Sequence, residues 1–402
     1  MRRFATGPAT AKPGAGFQAC AMKDKSNMNR PKTVSLPFAV NSILERLPVY
    51  QPGRPIEEVA RELGLPADSV IKLASNENPL SPSRLALAAM RKTLPHLHLY
   101  PDGNAFYLKQ KLAQKLELHP PNLVLGNGSN EIIELLGHLL LSGDSEVIVS
   151  QYCFAVYPIV TALFGARLVT VPARGFVHDL DATLKSITPQ TRLIFVANPN
   201  NPTGTVVRPE ALTAFVESVP ENIVIALDEA YWEFLENAPD FLPLVRAGRK
   251  PNLLLMRTFS KIYGLAGLRI GYGIGHPEFI GCLEKVRQPF NINALAQAAA
   301  LAALDDTTHV ERTRKVNGRG RKFFERAFRK LKLEFVRSAA NFILVRVGDG
   351  QRVFERLQQA GVIARPMAGY QLPEWIRISI GTTRENQRCL ETLQAALATA
   401  GS

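Results

Sequence analysis

The stretch Leu253-Leu-Leu-Met-Arg-Thr-Phe-Ser-Lys261-Ile-Tyr-Gly-Leu-Ala-Gly-Leu-Arg269 places a lysine shortly after an apolar run that is typical of a buried strand. A lysine at the edge of a core loses hydration, which lowers its pKa, and its neutral amine can form a Schiff base with a carbonyl. Thr258, Ser260 and Arg269 are suited to hold a phosphate beside it. A Schiff-base lysine next to a phosphate site is typical of pyridoxal phosphate (PLP) chemistry.

A second apolar run, Ile223-Val-Ile-Ala-Leu, predicts a buried strand that ends at Asp228. Because α/β folds place ligands at the carboxyl ends of their strands, Asp228 is suited to keep the pyridinium nitrogen of PLP protonated. Asn201 follows a third apolar run, 193–197, and Tyr231 lies three residues after Asp228. These two side chains are the natural donors to the phenolic oxygen of the ring.

A glycine turn, Gly126-Asn-Gly-Ser-Asn130, leads into a helical pattern. The backbone amides at the start of a helix bind phosphate well, because they have no partners within the helix. We therefore expect Ser129 and Asn130 to hold the phosphate of the cofactor.

Taken in this order along the chain, these residues resemble the fold-type I PLP-dependent aminotransferases, and most closely the histidinol-phosphate aminotransferase family. The resemblance extends from about Tyr50 to the C terminus. Its other marks are Lys72-Leu-Ala-Ser-Asn-Glu-Asn-Pro, Tyr100-Pro-Asp-Gly-Asn, Asn201-Pro-Thr-Gly and Arg377-Ile-Ser-Ile-Gly. It implies a PLP-dependent transaminase of histidine biosynthesis, which exchanges an amino group between histidinol phosphate and 2-oxoglutarate, with Lys261, Asp228 and Tyr231 as the catalytic residues.

The resemblance also implies roles that the residue types alone leave open. Phe154 aligns with the aromatic residue that stacks on the cofactor ring. Tyr100 aligns with a tyrosine that crosses a dimer interface to the cofactor phosphate of the partner subunit. Tyr50 aligns with a tyrosine that closes over the substrate, and Asn76 lies near the same gate. A homodimer with active sites at its interface and without a metal is therefore expected.

Two arginines are candidates for the acidic group of the substrate. Arg377 lies between apolar residues of a predicted strand, where an arginine is costly to bury without an anion, and a buried ion pair is the alternative. Arg365 also aligns with a substrate arginine of the family, although a charge on an exposed loop remains the alternative. Two arginines suit a phosphate better than a single carboxylate.

Three other functions share parts of this pattern. An aromatic or broad-range aminotransferase would need the same cofactor residues, and a PLP-dependent phosphothreonine decarboxylase shares the fold and a phosphate-bearing substrate. A PLP-sensing regulator would carry an N-terminal DNA-binding domain. Only about 50 residues precede the resemblance, without a helix-turn-helix pattern, which argues against a regulator.

The composition is that of an ordinary soluble globular protein, with 402 residues of which 46% are hydrophobic and 21% charged. No apolar run is long enough to span a membrane, so no membrane partner is expected. The four cysteines are scattered, without a zinc or disulfide pattern, which indicates a reducing compartment. We expect a cytoplasmic enzyme with small-molecule substrates.

The net charge of +13 is concentrated in two segments. Residues 1–33 carry a net charge of +6, and residues 312–337 carry +9. The second segment has phenylalanines at helical spacing, which indicates an amphipathic helix with a solvated basic face. We prefer this interpretation to a nucleic-acid surface and expect no nucleic-acid partner, although a basic surface can attract dianionic substrates.

The predicted fold is α/β, of PLP-dependent transferase fold type I. Residues 1–33 are expected to form a disordered basic tail, with a transit peptide or a later start at Met28 as alternatives. An N-terminal arm, 34–75, should precede a large PLP-binding domain, 76–303, and a small α+β C-terminal domain, 304–402. Strands alternating with helices predict a mostly parallel sheet with helices on both faces. The strands are predicted at 123–125, 146–149, 168–171, 193–197, 223–227, 253–256 and 268–274, then at 342–347, 362–365 and 376–380, after a connecting helix at 304–332.

Overall fold

The computed structural model describes residues 38, 40–45, 47, 49–50 and 52–398. The predicted tail, 1–33, lies outside the described residues. The chain divides into two compact units, Met1–Ser42 and Ile43–Ser402, and all the α-helices and strands below belong to the second. The boundary predicted between a large domain and a small one, at 303–304, stays a prediction.

Thirteen strands are formed by short, mostly apolar segments of the described chain. They are β1 (Ile71–Lys72), β2 (Leu123–Gly126), β3 (Glu146–Ser150), β4 (Arg167–Val171), β5 (Thr191–Ala197), β6 (Val224–Asp228), β7 (Leu253–Thr258), β8 (Gly271–Ile274), β9 (Phe335–Val336), β10 (Phe342–Arg346), β11 (Val362–Ile363), β12 (Arg365–Pro366) and β13 (Trp375–Ser379).

The α-helices cover these strands and connect most of them. They are α1 (Ile56–Leu63), α2 (Arg84–Thr93), α3 (Phe106–Leu116), α4 (Ser129–Leu140), α5 (Val156–Leu163), α6 (Leu180–Lys185), α7 (Pro209–Ser218), α8 (Leu242–Arg246), α9 (Pro277–Val286), α10 (Ala294–Ala303), α11 (Thr307–Lys330), α12 (Gly350–Gln359) and α13 (Thr383–Ala398). Single turns of 3-10 helix also occur, among them Trp232–Phe234, Ala266–Leu268 and Ala368–Tyr370.

The central sheet has seven strands in the order β2-β8-β7-β6-β5-β3-β4. Only β8 runs antiparallel to its neighbours. Successive side chains of a strand point to opposite faces, so Leu193 and Leu254 belong to one buried apolar cluster and Ile194 and Leu255 to the other. Helices pack on both faces, with α4 in one cluster and α10 in the other. The predicted fold, a mostly parallel sheet covered on both faces, is confirmed.

The C-terminal part of the chain forms a separate four-stranded antiparallel sheet in the order β12-β13-β10-β9. The long helix α11 packs against it through the buried Phe324 and Phe328, while its basic residues lie on the exposed side. The predicted strand 362–365 is wrong as a single element. Its first half, β11, pairs with β1 of the N-terminal arm, and β12 pairs with β13.

The sheet register fixes where the functional side chains lie. Ala197 at the end of β5 is opposite Asp228 at the end of β6, which is in turn opposite Met256 of β7. The loops that follow these strands therefore start at the same edge of the sheet. In α/β folds, ligands bind at this edge, beyond the carboxyl ends of the strands.

Candidate active site

A cavity of about 350 Å³ opens at the carboxyl ends of β5, β6 and β7. Every predicted site residue except Tyr100 lines it. These residues are Tyr50, Asn76, Ser129, Asn130, Phe154, Asn201, Asp228, Tyr231, Thr258, Ser260, Lys261, Arg269, Arg365 and Arg377. Side chains from the N-terminal arm, the central sheet and the C-terminal sheet thus converge on one cavity, although they are far apart in the sequence.

Lys261 follows β7 and presents its amine to this cavity. The amine donates to the carbonyl oxygen of Ser75 at 3.3 Å and lies 5.7 Å from the centroid of the Tyr231 ring. Burial, and then the positive charge of Arg377, lowers the pKa of Lys261 to about 8. A sizeable neutral fraction is therefore available near neutral pH, as a nucleophile or a base requires.

Asp228 ends β6 and is held by two donors. The Tyr157 hydroxyl donates to Oδ2 at 2.6 Å, and the backbone amide of Ala230 donates to Oδ1 at 3.0 Å. Burial raises the pKa of Asp228, whereas these two hydrogen bonds oppose the rise. The carboxylate is thus fixed in orientation and faces a site where a cationic partner would be strongly attracted.

Tyr231 and Asn201, the predicted donors to the ring oxygen, both line the cavity, and each is oriented by another residue. The amide of Asn76 donates to the Tyr231 hydroxyl at 2.9 Å. Arg377 donates to Oδ1 of Asn201 at 2.5 Å, which leaves the amide nitrogen of Asn201 as the donor. Asn76 is itself buried, with φ at 56°. Its contacts orient Tyr231, and its role at a substrate gate stays a prediction.

The start of α4 and the loop after β7 form the predicted phosphate cradle. Gly128, with φ at 75°, precedes Ser129, and a Cβ at this position would collide with the guanidinium of Arg269. Arg269 has φ at 55° and donates to Ser260 Oγ at 3.4 Å. Only glycine lets the arginine approach the helix start this closely. The arginine and the helix start thus lie close together, and both are suited to bind an anion, as the predicted phosphate site requires.

Arg365 and Arg377 lie opposite each other on the neighbouring strands β12 and β13. Arg377 is buried and donates from Nη2 to the Ala74 carbonyl at 2.9 Å. Its Nε has no hydrogen-bond partner among the residues that the structure describes. An unpartnered buried donor is costly, so an incoming anion that accepts from it is favoured. Burial lowers the pKa of Arg377 because the charged guanidinium loses its hydration, and a bound anion would offset this loss.

Two tyrosines of the site were not predicted. Tyr157 holds Asp228, and Tyr370 lines the cavity near the two arginines and Tyr50. The Arg365 guanidinium lies 5.9 Å from the Tyr50 ring centroid, so the predicted gate residue and a predicted substrate residue are close. No sequence signal distinguishes either unpredicted tyrosine from a core tyrosine.

Tyr100 lies away from this cavity in its own chain. It is 83% exposed and stacks on Phe290, with 4.8 Å between the ring centroids. The described chain therefore provides its own Lys261 and Asp228 to the cavity but not Tyr100. This placement agrees with a residue that serves a second subunit, and the crossing itself stays a prediction.

The residues present fit PLP. The buried, unpartnered donor of Arg377 suits the anion of the substrate, and the glycine that admits Arg269 suits the cofactor phosphate. Lys261, with its lowered pKa, offers an amine for the aldehyde, and the buried carboxylate of Asp228 offers a negative charge for the ring nitrogen.

A buried charged cluster lies next to the segments that line the cavity, without lining it itself. Arg257 donates from Nε to Glu229 Oε2 at 2.7 Å, and its Cζ lies 3.9 Å from the centroid of the Trp232 ring. Glu233 is buried beside this pair, and Arg314 donates to its backbone carbonyl. Burial raises the pKa of Glu233 to about 7, opposed by Arg257 and favoured by the charge of Glu229.

The raised pKa of Glu233 predicts a pH dependence of stability. Between pH values near its ordinary 4.5 and about 7, the folded protein keeps a proton that the unfolded chain has released. The free energy of unfolding should therefore fall as pH rises through this window, by at most ~3 kcal/mol, and stay level above it. Glu233→Gln should remove this fall in urea unfolding at pH 5, 6, 7 and 8. The same change at the exposed Glu221 is the control, and parallel curves for Glu233→Gln and the original protein would contradict the prediction.

Comparison with known proteins gives one consistent result. Residues 68–393 match the profile of the aminotransferase class I and II family. A histidinol-phosphate aminotransferase of Akkermansia muciniphila is 50% identical over 90% of this chain and 99% of its own length. One from Moorella thermoacetica is 46% identical over 94% of this chain and 97% of its own. The crystal structure of the Sinorhizobium meliloti enzyme in complex with pyridoxal-5'-phosphate superposes with a TM-score of 0.83 at 29% identity, covering 91% of this chain and 99% of that one.

Proposed function

Because this chain belongs to the histidinol-phosphate aminotransferases, within the class I and II aminotransferases, we propose that it transfers an amino group from glutamate to imidazole acetol phosphate. The products are histidinol phosphate and 2-oxoglutarate, and the reaction serves histidine biosynthesis. The observation that carries the proposal is the pair of arginines, Arg365 and Arg377, beside a lysine with a pKa lowered to about 8.

Each of the cavity residues below has a separate role in this reaction. Bound PLP supplies an aldehyde that amines attach to and a ring that accepts electron density from the substrate carbon. Lys261 would hold the cofactor and, when its amine is free, would move a proton between the substrate carbon and the cofactor carbon. Asp228 would keep the ring nitrogen protonated. Tyr231 and Asn201 would donate to the phenolic oxygen, and Phe154 would supply the aromatic face for the ring.

The arginines support a phosphate-bearing substrate. A phosphate carries nearly two negative charges at neutral pH and has three acceptor oxygens, so it can engage Arg365 and Arg377 together. A carboxylate can satisfy one forked arginine and leaves the second less compensated. Glutamate, the amino donor, uses the same anchor with its carboxylate.

Histidinol phosphate should therefore exceed phenylalanine in kcat/KM by at least ~100-fold, or ~2.7 kcal/mol, with 2-oxoglutarate as the acceptor. Arg365→Ala should narrow this gap and leave the absorption spectrum of bound PLP unchanged. The exposed Arg346, which pairs with Glu334 and Glu374, is the control, because Arg346→Ala should change neither quantity. Equal use of phenylalanine or tyrosine would instead favour the broad aromatic aminotransferase.

We further propose a homodimer whose active sites lie at the subunit interface. Large apolar side chains are exposed around Tyr100, namely Leu97, Leu99, Phe106, Tyr107 and Phe290. A contiguous exposed apolar patch is typical of a surface that another subunit covers. Tyr100, at 83% exposure, would thereby reach the cofactor phosphate of the partner subunit.

Subunit mixing tests this arrangement. Tyr100→Ala and Lys261→Ala subunits should each be inactive alone, whereas refolding them together should restore about a quarter of the wild-type activity, since about half of the dimers are mixed and each has one complete site. Refolding each variant alone is the control. A fully active monomer by light scattering, or no recovery in dimers shown by mass to be mixed, would refute the proposal.

We place this enzyme in the cytoplasm. The described cysteines, Cys153, Cys282 and Cys389, are all free, which supports a reducing compartment. Separately, none of the described helices is long and apolar enough to cross a membrane.

A further inference from the structure

Two short segments together carry five of the predicted cofactor residues. In the first, 228–231, Asp228 and Tyr231 line the cavity, and in the second, 257–261, Thr258, Ser260 and Lys261 do so. Each segment also carries one buried charged residue that does not line the cavity, Glu229 in the first and Arg257 in the second.

These two charged residues join the segments from behind. Arg257 Nε donates to Glu229 Oε2 at 2.7 Å, with the side chains only 3% and 2% exposed. Trp232 covers the guanidinium at 3.9 Å, so the arginine is held by an ion pair on its edge and an aromatic ring on its face. Burial lowers the pKa of Arg257, but Glu229 and the other groups around it outweigh this and raise it, so the guanidinium stays charged.

Stability alone does not account for this pair. Removing two charges from water is expensive, and apolar residues of similar volume often stabilise a core as well or better. The pair even leaves a donor unused, since Arg257 Nη2 has no hydrogen-bond partner among the described residues. A well-packed apolar pair would avoid this penalty. What the ion pair provides in addition is a fixed geometry.

That geometry is needed where the two strands part. The ladder between β6 and β7 ends with Asp228 opposite Met256, and the amide of Glu229 makes one more hydrogen bond, to the Met256 carbonyl at 2.8 Å. Beyond this point the first segment turns into the 3-10 helix Trp232–Phe234, and the amide of Phe259 instead bonds to the Ile270 carbonyl on the other side. The Glu229–Arg257 contact is the side-chain link that continues where the backbone link stops.

We propose that Glu229 and Arg257 are a positioning pair that sets the orientation of Asp228 relative to Lys261. The inference rests on the proposed function, in which Asp228 holds the ring nitrogen of the cofactor and Lys261 holds its aldehyde. Both ends of one rigid ring must be met at once, so a small rotation of either segment misaligns one contact. A misplacement of about 1 Å in such a site lowers rates by about a hundredfold.

The test is a double variant, Glu229→Gln with Arg257→Met, which removes both charges and keeps the volumes. The control is Glu146→Gln with Arg167→Met, because the buried Glu146 pairs with the largely exposed Arg167 on the neighbouring strand β4, away from the cavity. The Glu229/Arg257 variant should keep Tm within a few degrees, as replaced buried ion pairs often do, and the control should do so because an ion pair with an exposed partner contributes little.

The two double variants should differ in their cofactor properties. The Glu229/Arg257 variant should bind PLP at least ~10-fold more weakly, show a shifted pH titration of the absorption of bound PLP, and lose at least ~10-fold in kcat with KM for glutamate changed less than about twofold. The control should match the original protein in all three. A folded Glu229/Arg257 variant with unchanged PLP affinity, spectral titration and kcat overturns the proposal.

Arg257→Lys keeps the test decisive if the double variant does not fold. It retains the positive charge but not the forked donor or the flat stack on Trp232, so it should show the same changes to a smaller extent. A folded Arg257→Lys protein with original PLP affinity and spectral titration would count against positioning. These two cofactor readouts do not depend on the amino substrate, so an error in the proposed substrate would leave them interpretable.

Discussion

Lys261→Ala is expected to lower kcat by at least about ten-thousandfold, or ~5.4 kcal/mol, while the protein stays folded. Two functions are lost together, because the same amine holds the cofactor and carries the proton between the substrate carbon and the cofactor carbon. Alanine leaves space where the amine contacted the Ser75 carbonyl and does not disturb the end of β7.

Three measurements check this expectation. The original protein should be yellow, with a visible absorption band. Borohydride reduction should remove this band and attach PLP permanently to Lys261, which mass spectrometry of the peptides can detect. Lys261→Ala can still bind PLP through Asp228 and Arg269, but borohydride should fix none of it. Lys115→Ala, a change outside the cavity at a lysine that donates to the Leu304 carbonyl, is the control and should remain yellow and active.

The lowered pKa of Lys261 adds a pH test to this prediction. Only the neutral amine attacks an aldehyde, so the rate at which apoenzyme takes up PLP covalently should rise roughly tenfold per pH unit below a pKa of about 8 and level off above it. Substantial multiple turnover by Lys261→Ala would contradict the role proposed for Lys261, whatever the pH dependence of PLP uptake shows.

Most of the central sheet could be predicted because all its strands except the edge strand β4 are buried on both faces. Burial on both faces makes a strand a continuous apolar run, so the run at 223–227 marks β6 to within one residue. The predicted strand at 268–274 is too long. Its first residue, Leu268, ends the 3-10 helix Ala266–Leu268, and Arg269 takes a left-handed conformation close to the start of α4. Apolar composition does not reveal this, because the conformation serves a contact with Gly128 rather than a strand.

The predicted site residues that line the cavity could be identified from their motifs and from the resemblance, because they carry the chemical groups that PLP requires. The residues that orient these side chains could not be predicted. Tyr157 lies 71 positions before Asp228, in an apolar helix, and only the fold brings its hydroxyl to the carboxylate. Arg257 did offer a signal, since a charged residue inside the run Leu-Leu-Leu-Met-Arg-Thr needs a buried partner. The sequence alone does not say that this partner is Glu229.

Asp228→Asn should reduce kcat by at least about a thousandfold, or ~4 kcal/mol, without unfolding the protein. The carbonyl oxygen of Asn can still accept from the Ala230 amide, while its amide nitrogen takes the place of Oδ2 and can donate to the Tyr157 hydroxyl oxygen, so both contacts can persist with one of them reversed. It carries no negative charge, however, and its amide cannot stabilise a protonated ring nitrogen. The ring of bound PLP then accepts electron density poorly, and the proton transfer by Lys261 becomes slow.

Tyr157→Phe is the matched control for this change. It removes the 2.6 Å hydrogen bond to Asp228 but keeps the negative charge, so kcat should fall only about tenfold, the value of one lost hydrogen bond of ~1.4 kcal/mol. Stopped-flow absorption of the half-reaction with glutamate separates the two variants, since PLP binding precedes the slow step. A loss below about tenfold for Asp228→Asn, ~1.4 kcal/mol, would show that the charge on this residue is not what activates the ring.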